Sequence, residues 1–564
     1  MKRTGPGGRR DRLKDAELTE YLWYKSYDPG VPRSLEPYPH KTIMDVLLEA
    51  ENERPDYPMI IFQDRKLSYK EIVSESDAMA AALAYMGVKK GDRIAVLFLN
   101  CPQEYIIFFA AWKLGAIVVP LNPLYTEFEL EARLNDIDAE AAVVLNLWYP
   151  MVKRLQKKTS VRNVILAEFD DYTVPDKEKA ATAIEPGDSW WLDLTRKYAG
   201  KPVPKIEVGP EDTALILFSG GTTGTPKGVM ESHKSLVITG MQVEAWFREI
   251  SLWWDEKFLV PLPLFHAFGI YASFGMALVQ HNISVLIANP RDIKGMIDTI
   301  KSQGITNMGA APTMFISMLE YPDLKMGDLK TIRMATSGAA PLMRETKEQF
   351  EKHISGRLTE GYALTESGMA MLTTPARGKW KEGSIGLPLP DTIVRIVDID
   401  AGTSEMPVGQ PGEIIIKAPQ LMQGYWKRPE ETKEILRDGW LYTGDIGYMD
   451  EDGYIFLTSR KKDLIKCGGF QVWPREVEEI LQEHPAVAEV CVGGIPDPRQ
   501  MEAVKAWIVL KEGKSVTAED LQKYCREKLT GYKVPKHFEF RKELPKTFVG
   551  KVLRRILQDE EKSK

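Results

Sequence analysis

The stretch "TALILFSGGTTGTPKGV", Thr213 to Val229, runs from an apolar segment into a loop of four glycines, three threonines, a serine and a lysine. Glycine lets the main chain approach a ligand closely. Successive N–H groups in such a turn form an anion-binding concavity, hydroxyls add donors, and a lysine adds a point charge. A Gly/Thr/Ser run alone describes any solvated loop. A strand leading in and one cation at the far end favour a phosphate cradle. The pattern G-x-x-x-x-G-K-[ST] does not fit, because Pro226 precedes Lys227 and Gly228 stands where the metal-binding hydroxyl belongs. A nucleotide held here needs its metal ligand from elsewhere.

Outward from that loop, helix and strand patterns alternate. Ser68 and Glu71 form a capping box that opens a helix ending at Gly87. "DRIAVLFL" reads as a strand, "PQEYIIFFAAWKL" as a helix, "AIVVPL" as a strand, "EFELEARLND" as a helix and "AAVVL" as a strand. That alternation predicts βαβ units and an α/β fold with mainly parallel sheets. "ISVLIA", "DIKGMIDTIKSQG", "ITNMGAAP" and "TIRMATSGAAP" continue it, followed by a helix over Leu342–His353. From Ile385 to Phe456 the helical pattern disappears and short strands predict a compact β subdomain. After "SRKKD" the order changes to helix, two strands, capped helix and strand, which predicts a separate small α+β domain. The expected division is a basic, partly disordered tail over 1–40, a large domain over 41–461 with its β subdomain at about 385–456, and a small mobile domain over 462–564.

The chain has 564 residues and a formal charge of -6, which implies more than one domain and argues against a nucleic-acid partner. Cys101, Cys467, Cys491 and Cys525 form no paired spacing, so neither a zinc site nor a disulfide framework is expected, and a reducing cytoplasm is the simpler home. The N-terminal "MKRTGPGGRRDRLKDAE" has no apolar stretch behind it and is not a secretory signal. Its basic character leaves peripheral contact with the inner face of an anionic membrane open. "IIFFAAWKLGAIVVPL" contains Lys113, Gly115 and Pro120 and reads as buried helix, stop and strand rather than as a membrane span.

Further motifs stand in order along the chain: "PLFHAFG" (263–269), "TSGAAP" (336–341), "EGYALTES" (360–367), "DGWLYTGDIG" (438–447), "SRKKDLIKCGGFQVWPREVE" (459–478) and "PKTFVGKVLRR" (545–555). In this order and at these separations they resemble the adenylate-forming superfamily of acyl- and aryl-CoA synthetases, luciferases and peptide-synthetase adenylation domains. "YDPGVPRSLEPYP" and the doubled glycine of "SGGTTG" are most similar to long-chain fatty-acid CoA ligases. The resemblance implies two half-reactions: a carboxylate and ATP give acyl-AMP and pyrophosphate, and coenzyme A then takes the acyl group.

What the resemblance implies for residues follows the motifs. Ser219, Gly220, Gly221, Thr222, Thr223, Gly224 and Lys227 hold the β- and γ-phosphates. Glu366 is the Mg²⁺ carboxylate, with Thr365 beside it, which supplies the ligand missing from the loop. Tyr362 packs on adenine, with Gly338, Ala339, Glu360 and Gly361 around the base. Asp445 accepts from the ribose hydroxyls, and Arg460 reaches ribose and phosphate. His266 lies near the carboxylate and α-phosphate, and His266, Phe268 and Gly338 line the acyl pocket; "GIYASFGMALV" reads equally as a helix along that tunnel or as a half-buried core helix. Lys551 bridges carboxylate and α-phosphate. Lys462 is the hinge of a rotation that withdraws Lys551 and presents Lys466, Gly468, Gly469 and Phe470 to coenzyme A. Ala363 departs from a position often glycine in the family. An aryl or short-acid ligase and a non-catalytic nucleotide or acyl binder remain the alternatives, and a homodimer is left open.

Overall fold

In a computed structural model, residues 20–174, 184–219, 226–368, 371–467, 470–497, 501–547 and 550–562 are described. The helix Tyr69–Tyr85 begins as its sequence dictates. The Ser68 hydroxyl accepts from Glu71 N–H, and the Glu71 carboxylate accepts from Ser68 N–H. Strands Arg93–Leu97, Ile117–Pro120 and Ala141–Leu145 alternate with helices Pro102–Lys113 and Glu127–Asp136, and the strands pair in parallel.

Among the described residues the strands form sheets of fourteen, eight and five. In the first, the strands at 58–62, 283–286, 257–260, 307–310, 334–337 and 357–362 lie side by side in parallel. In the second, 213–218 joins the parallel set through Val118 and Leu215. The helix Pro102–Lys113 has no exposed face: every residue from Pro102 to Trp112 is buried, Gln103 and Glu104 included. Its core neighbours come from both sheets, Phe62, Val260 and Leu286 on one side and Ile94, Val118 and Ala141 on the other. A helix packed between two sheets has no side left for water, and so its sequence is mostly apolar all round. Among the described residues, no helix is long and apolar enough to cross a membrane.

Two expectations are corrected. Residues 20–40 do not belong to a disordered tail. Trp23 is buried against Gly453, Tyr27 donates to the Pro388 carbonyl, and Tyr38 Oη donates to Asp391 at 2.6 Å, which straps this segment across the large domain. The region 385–456 contains a helix, Pro429–Ile435, although its proline and charges read as turn. The β subdomain there is joined to the first sheet. Its strands continue the first sheet in antiparallel fashion from Gly361–Tyr362 through 372–373 and 384–388 to 455–460.

The small domain is built on the antiparallel pair Val487–Asp497 and Met501–Leu510, with His537–Arg541 added in parallel. Helices Pro474–Gln482 and Ala518–Arg526 cover it, burying Val477, Leu481, Leu521 and Cys525 in a core of its own. Lys461–Asp463 forms a single 3-10 turn between the last strand of the large domain and this unit.

Candidate functional site

Carboxyl ends of parallel strands are where α/β folds bind ligands. Here the strand 257–260 leads to His266, 307–310 to Thr313, 334–337 to Gly338–Pro341, and 357–362 to Glu366. From the second sheet, 213–218 leads to Ser219. The stem of the glycine loop is closed by Ser219 N–H to the Lys227 carbonyl (2.9 Å) and Lys227 N–H to Ser219 Oγ (3.4 Å). The positions Gly220, Gly221, Thr222, Thr223 and Gly224 lie outside the described residues, as do Gly468 and Gly469.

Tyr425 ties the loop to the acidic motif. Its hydroxyl donates to Glu366 Oε1 at 2.8 Å, and its ring lies beneath Lys227 Nζ, 4.8 Å from the centroid. Lys227 also pairs with Glu431. Sequence reasoning missed Tyr425, because its role depends on the antiparallel pairing of Gly424 with Met230 and of Tyr425 with Val229, far away in sequence. Glu366 itself stands on the 3-10 turn Thr365–Ser367 and is half-buried. A carboxylate steadied on one oxygen by a phenol and facing a cationic loop suits a divalent ion shared with phosphates. Among the described residues no group of three or more metal-ligating side chains occurs, so such an ion would rest mainly on substrate and water.

Asp445 and Arg460 face each other as partners across an antiparallel pair. Arg460 Nε lies 3.0 Å from Asp445 Oδ1, and Tyr362 Oη donates to Asp445 Oδ2 at 2.6 Å. The Tyr362 ring is buried among Met371, Leu372, Ile385 and Ile455, and its hydroxyl fixes the carboxylate. Glu360 is buried and accepts from Leu342 N–H at 3.3 Å, pinning the far end of the 338–342 loop. Burial pushes its carboxyl up to about 7. Within that loop Ala339 holds φ at +70°, a left-handed conformation that costs an alanine free energy and is found mainly where a site requires it. Gly361 lies on the adjoining strand end, half-buried.

His266 caps the turn Ala267–Ile270, its Nδ1 accepting from Phe268 N–H at 3.2 Å. That bond places the ring proton on Nε2. Burial, reinforced by the Lys551 cation, pushes the imidazole down to about 4, so it is a neutral donor at working pH. Phe268 is buried with its ring over two glycines: a Cβ on Gly338 or Gly309 would come within 2.9 or 3.0 Å of it. The expected helix beyond is α-helical only to Ile270 and then becomes a π-helix, Tyr271–Leu278, a rare form concentrated at functional sites.

Lys551 comes from the small domain. Gly550, at φ +81°, turns the chain against Thr313 of the large domain, and Lys551 N–H donates to Thr547 Oγ1. Burial and the neighbouring Arg460 push the Lys551 ammonium down to about 8, while Asp445 and Asp463 oppose the fall. Lys462, on the 3-10 turn, is likewise pushed down to about 8, by burial and then by Arg460. Other candidate residues of the small domain are open to solvent. Lys466 is exposed, and Phe470, 57 % exposed, stacks on Tyr532 with centroids 4.6 Å apart. The structure therefore presents Lys551 to the site and leaves Lys466 and Phe470 to solvent.

Comparison with known proteins agrees with this order of parts. The pattern of the AMP-binding enzyme family matches residues 47–426, and that of the AMP-binding enzyme C-terminal domain matches 476–551. A long-chain-fatty-acid–CoA ligase of Bacillus subtilis (strain 168) is 39% identical over 556 residues, 96% of this chain and 98% of the relative. ATP-bound MatB from Rhodopseudomonas palustris superposes with a TM-score of 0.83 at 27% identity, covering 92% of this chain and 98% of that one. The o-succinylbenzoate CoA synthetase MenE of Bacillus subtilis, bound to the acyl-adenylate OSB-AMP, gives a TM-score of 0.78 at 26% identity over 93% of this chain and 99% of its own. With both patterns in the order of the two domains and a relative matched along nearly its whole length, the chain belongs to the AMP-binding, adenylate-forming enzyme family, as an AMP-forming acid–thiol ligase.

Proposed function

We propose that this chain joins a long-chain fatty acid to coenzyme A through an acyl-adenylate. The observation that carries the mechanism is the placement of Lys551 beside His266 and the Asp445–Arg460 pair, although it arrives from the other domain. Joining a carboxylate to a triphosphate brings like charges together, so preorganised cations and donors supply the largest catalytic term. Lys551 lies between the two anions, orienting one and neutralising the other. His266 Nε2–H donates to the acid or the α-phosphate. Asp445 accepts from the ribose hydroxyls, and Lys227 with the glycine loop holds the outer phosphates. Glu366, steadied by Tyr425, would hold Mg²⁺, which when bound offsets phosphate charge. After pyrophosphate leaves, the small domain turns about Lys462 and brings its Lys466–Phe470 face to the adenylate for the coenzyme A thiol.

The long-chain assignment is supported by the Bacillus relative's name at 39% identity. Phe268 supports a second reading, an aryl or short-chain acid, because its ring fills the floor formed by Gly309 and Gly338. Pyrophosphate release with acids of two to eighteen carbons, and thioester formation with coenzyme A, decides between them. A maximum at twelve carbons or more is expected, and a maximum with benzoate or acetate would overturn the chain-length assignment.

A further inference from the structure

Asn100 stands just before the helix Pro102–Lys113, beyond the end of the strand Arg93–Leu97, and is 3% exposed. Its amide reaches from the eight-stranded sheet to the chain that leaves the fourteen-stranded one. Nδ2 donates to the Val260 and Leu262 carbonyls, each at 3.0 Å, and Oδ1 accepts from Leu264 N–H at 3.1 Å. Two carbonyls and one N–H admit only this orientation of the amide, and it spends both amide protons. Val260 is the last residue of the strand Lys257–Val260, so the bonds grip alternate residues of the segment that runs from that strand toward His266.

The backbone passes that grip on to the imidazole. His266 N–H donates at 3.0 Å to the carbonyl of Pro263, which lies between two of the residues that Asn100 holds. Gly269 closes back on the same segment: a Cβ there would meet the Pro263 and Leu262 carbonyls at 2.3 and 2.8 Å. The ring is then fixed by Nδ1, which accepts from Phe268 N–H. The segment 260–269 is thus one compact unit, and the second sheet holds it through Asn100. An apolar side chain in that place would leave two enclosed carbonyls and an N–H without this partner, and the segment would have to shift to satisfy them. A group that acts on a reacting centre tolerates little such displacement.

We propose that Asn100 is a positioning residue for the adenylation step: through the 260–264 backbone it sets where His266 Nε2–H stands, without touching substrate itself. This rests on the reading of His266 as donor to the acid or the α-phosphate. The test is a double-mutant cycle on kcat for pyrophosphate release with ATP and a sixteen-carbon acid, over the intact enzyme, Asn100→Leu, His266→Ala and the pair. Asn100→Leu keeps the volume and removes the three bonds. It should slow release by about 10–10²-fold, the upper figure being the scale for a displacement of roughly 1 Å. In the His266→Ala background the same substitution should cost less than about 3-fold, because no imidazole remains to be placed. A loss of folded enzyme would multiply equally in both backgrounds, so the cycle separates positioning from mere support of the fold. Asn100→Ala, which leaves room for a water to replace part of the lost bonds, should show the same pattern with a smaller loss, and it carries the comparison if Asn100→Leu does not fold. Two outcomes overturn the proposal: release unchanged in both Asn100 variants, or a loss of the same size with and without His266. Full activity of His266→Ala is a separate failure, which removes the reading of His266 and this inference with it.

Discussion

The two domains hold their functional groups in opposite ways. In the large domain Glu360, Ser337 and Tyr362 are buried near strand ends and Asp445 within a strand, and each functional carboxylate has a neighbour that fixes it: Tyr362 for Asp445, Tyr425 for Glu366, the Leu342 N–H for Glu360. In the small domain Lys551 rides on a glycine turn, and the unit that carries it has a core of its own. It meets the large domain through Arg475 on the Leu457 carbonyl at 2.8 Å and through Gly550 against Thr313. A cradle that must bind both ATP and adenylate gains from rigidity. An arm that must leave between two steps gains from polar, local contacts that water can replace.

The largest effect expected from that contrast belongs to Lys551→Ala. It should slow adenylation by about 10²–10³-fold, the scale for one lost charge-stabilising donor. Transfer from supplied acyl-adenylate should survive nearly intact; equal loss in both steps would break the division between arm and cradle. Lys462→Pro removes the dihedral freedom of the 3-10 turn. Pyrophosphate release should stand while thioester formation falls by about 10²-fold, as for a misplaced reacting face. Unchanged thioester turnover would put the pivot elsewhere.

On the cradle side, Tyr425→Phe should weaken the response to Mg²⁺ by about 10-fold in a titration, because it loosens the carboxylate behind the ion. It should do so without altering the preference for acid chain length. The pH profile sharpens the contrast most gently. Lys551 acts as a cation, and its proton is held up to about pH 8 before substrates bind. Adenylation kcat/KM, which reports the free enzyme, should therefore be level below pH 8 and decline as pH rises through it. His266, already neutral above about pH 4, contributes no limb in that range. In Lys551→Ala the alkaline limb should vanish; its persistence would assign it to another group, with Lys462 next in line.

Much of the fold was legible because its signals are local. The capping box at Ser68, the stop at Gly115 with φ +65°, and the alternation from Arg93 to Leu145 are each decided within a few neighbours. The order of motifs likewise sufficed to name Glu366, Asp445, Arg460 and Lys551 as candidates before any geometry. The helix Pro429–Ile435 was missed because its first turn is proline and glutamates, which read as turn until the chain packs. Residues 20–40 read as tail because a strap has no period of its own; its aromatics acquire meaning only against Trp246, Pro388 and Gly453.

The sequence by itself determined the chemistry the chain carries and the order in which it appears, since residue type and spacing set charge, donors and backbone freedom. Tertiary structure alone decided which of those groups meet. Tyr425 reaches Glu366 through a strand pairing that no local pattern announces, and Lys551 faces His266 across a domain boundary. Such pairings are set by burial and by long-range packing, whose free energies belong to neighbours far apart in the chain and leave no trace in the local pattern.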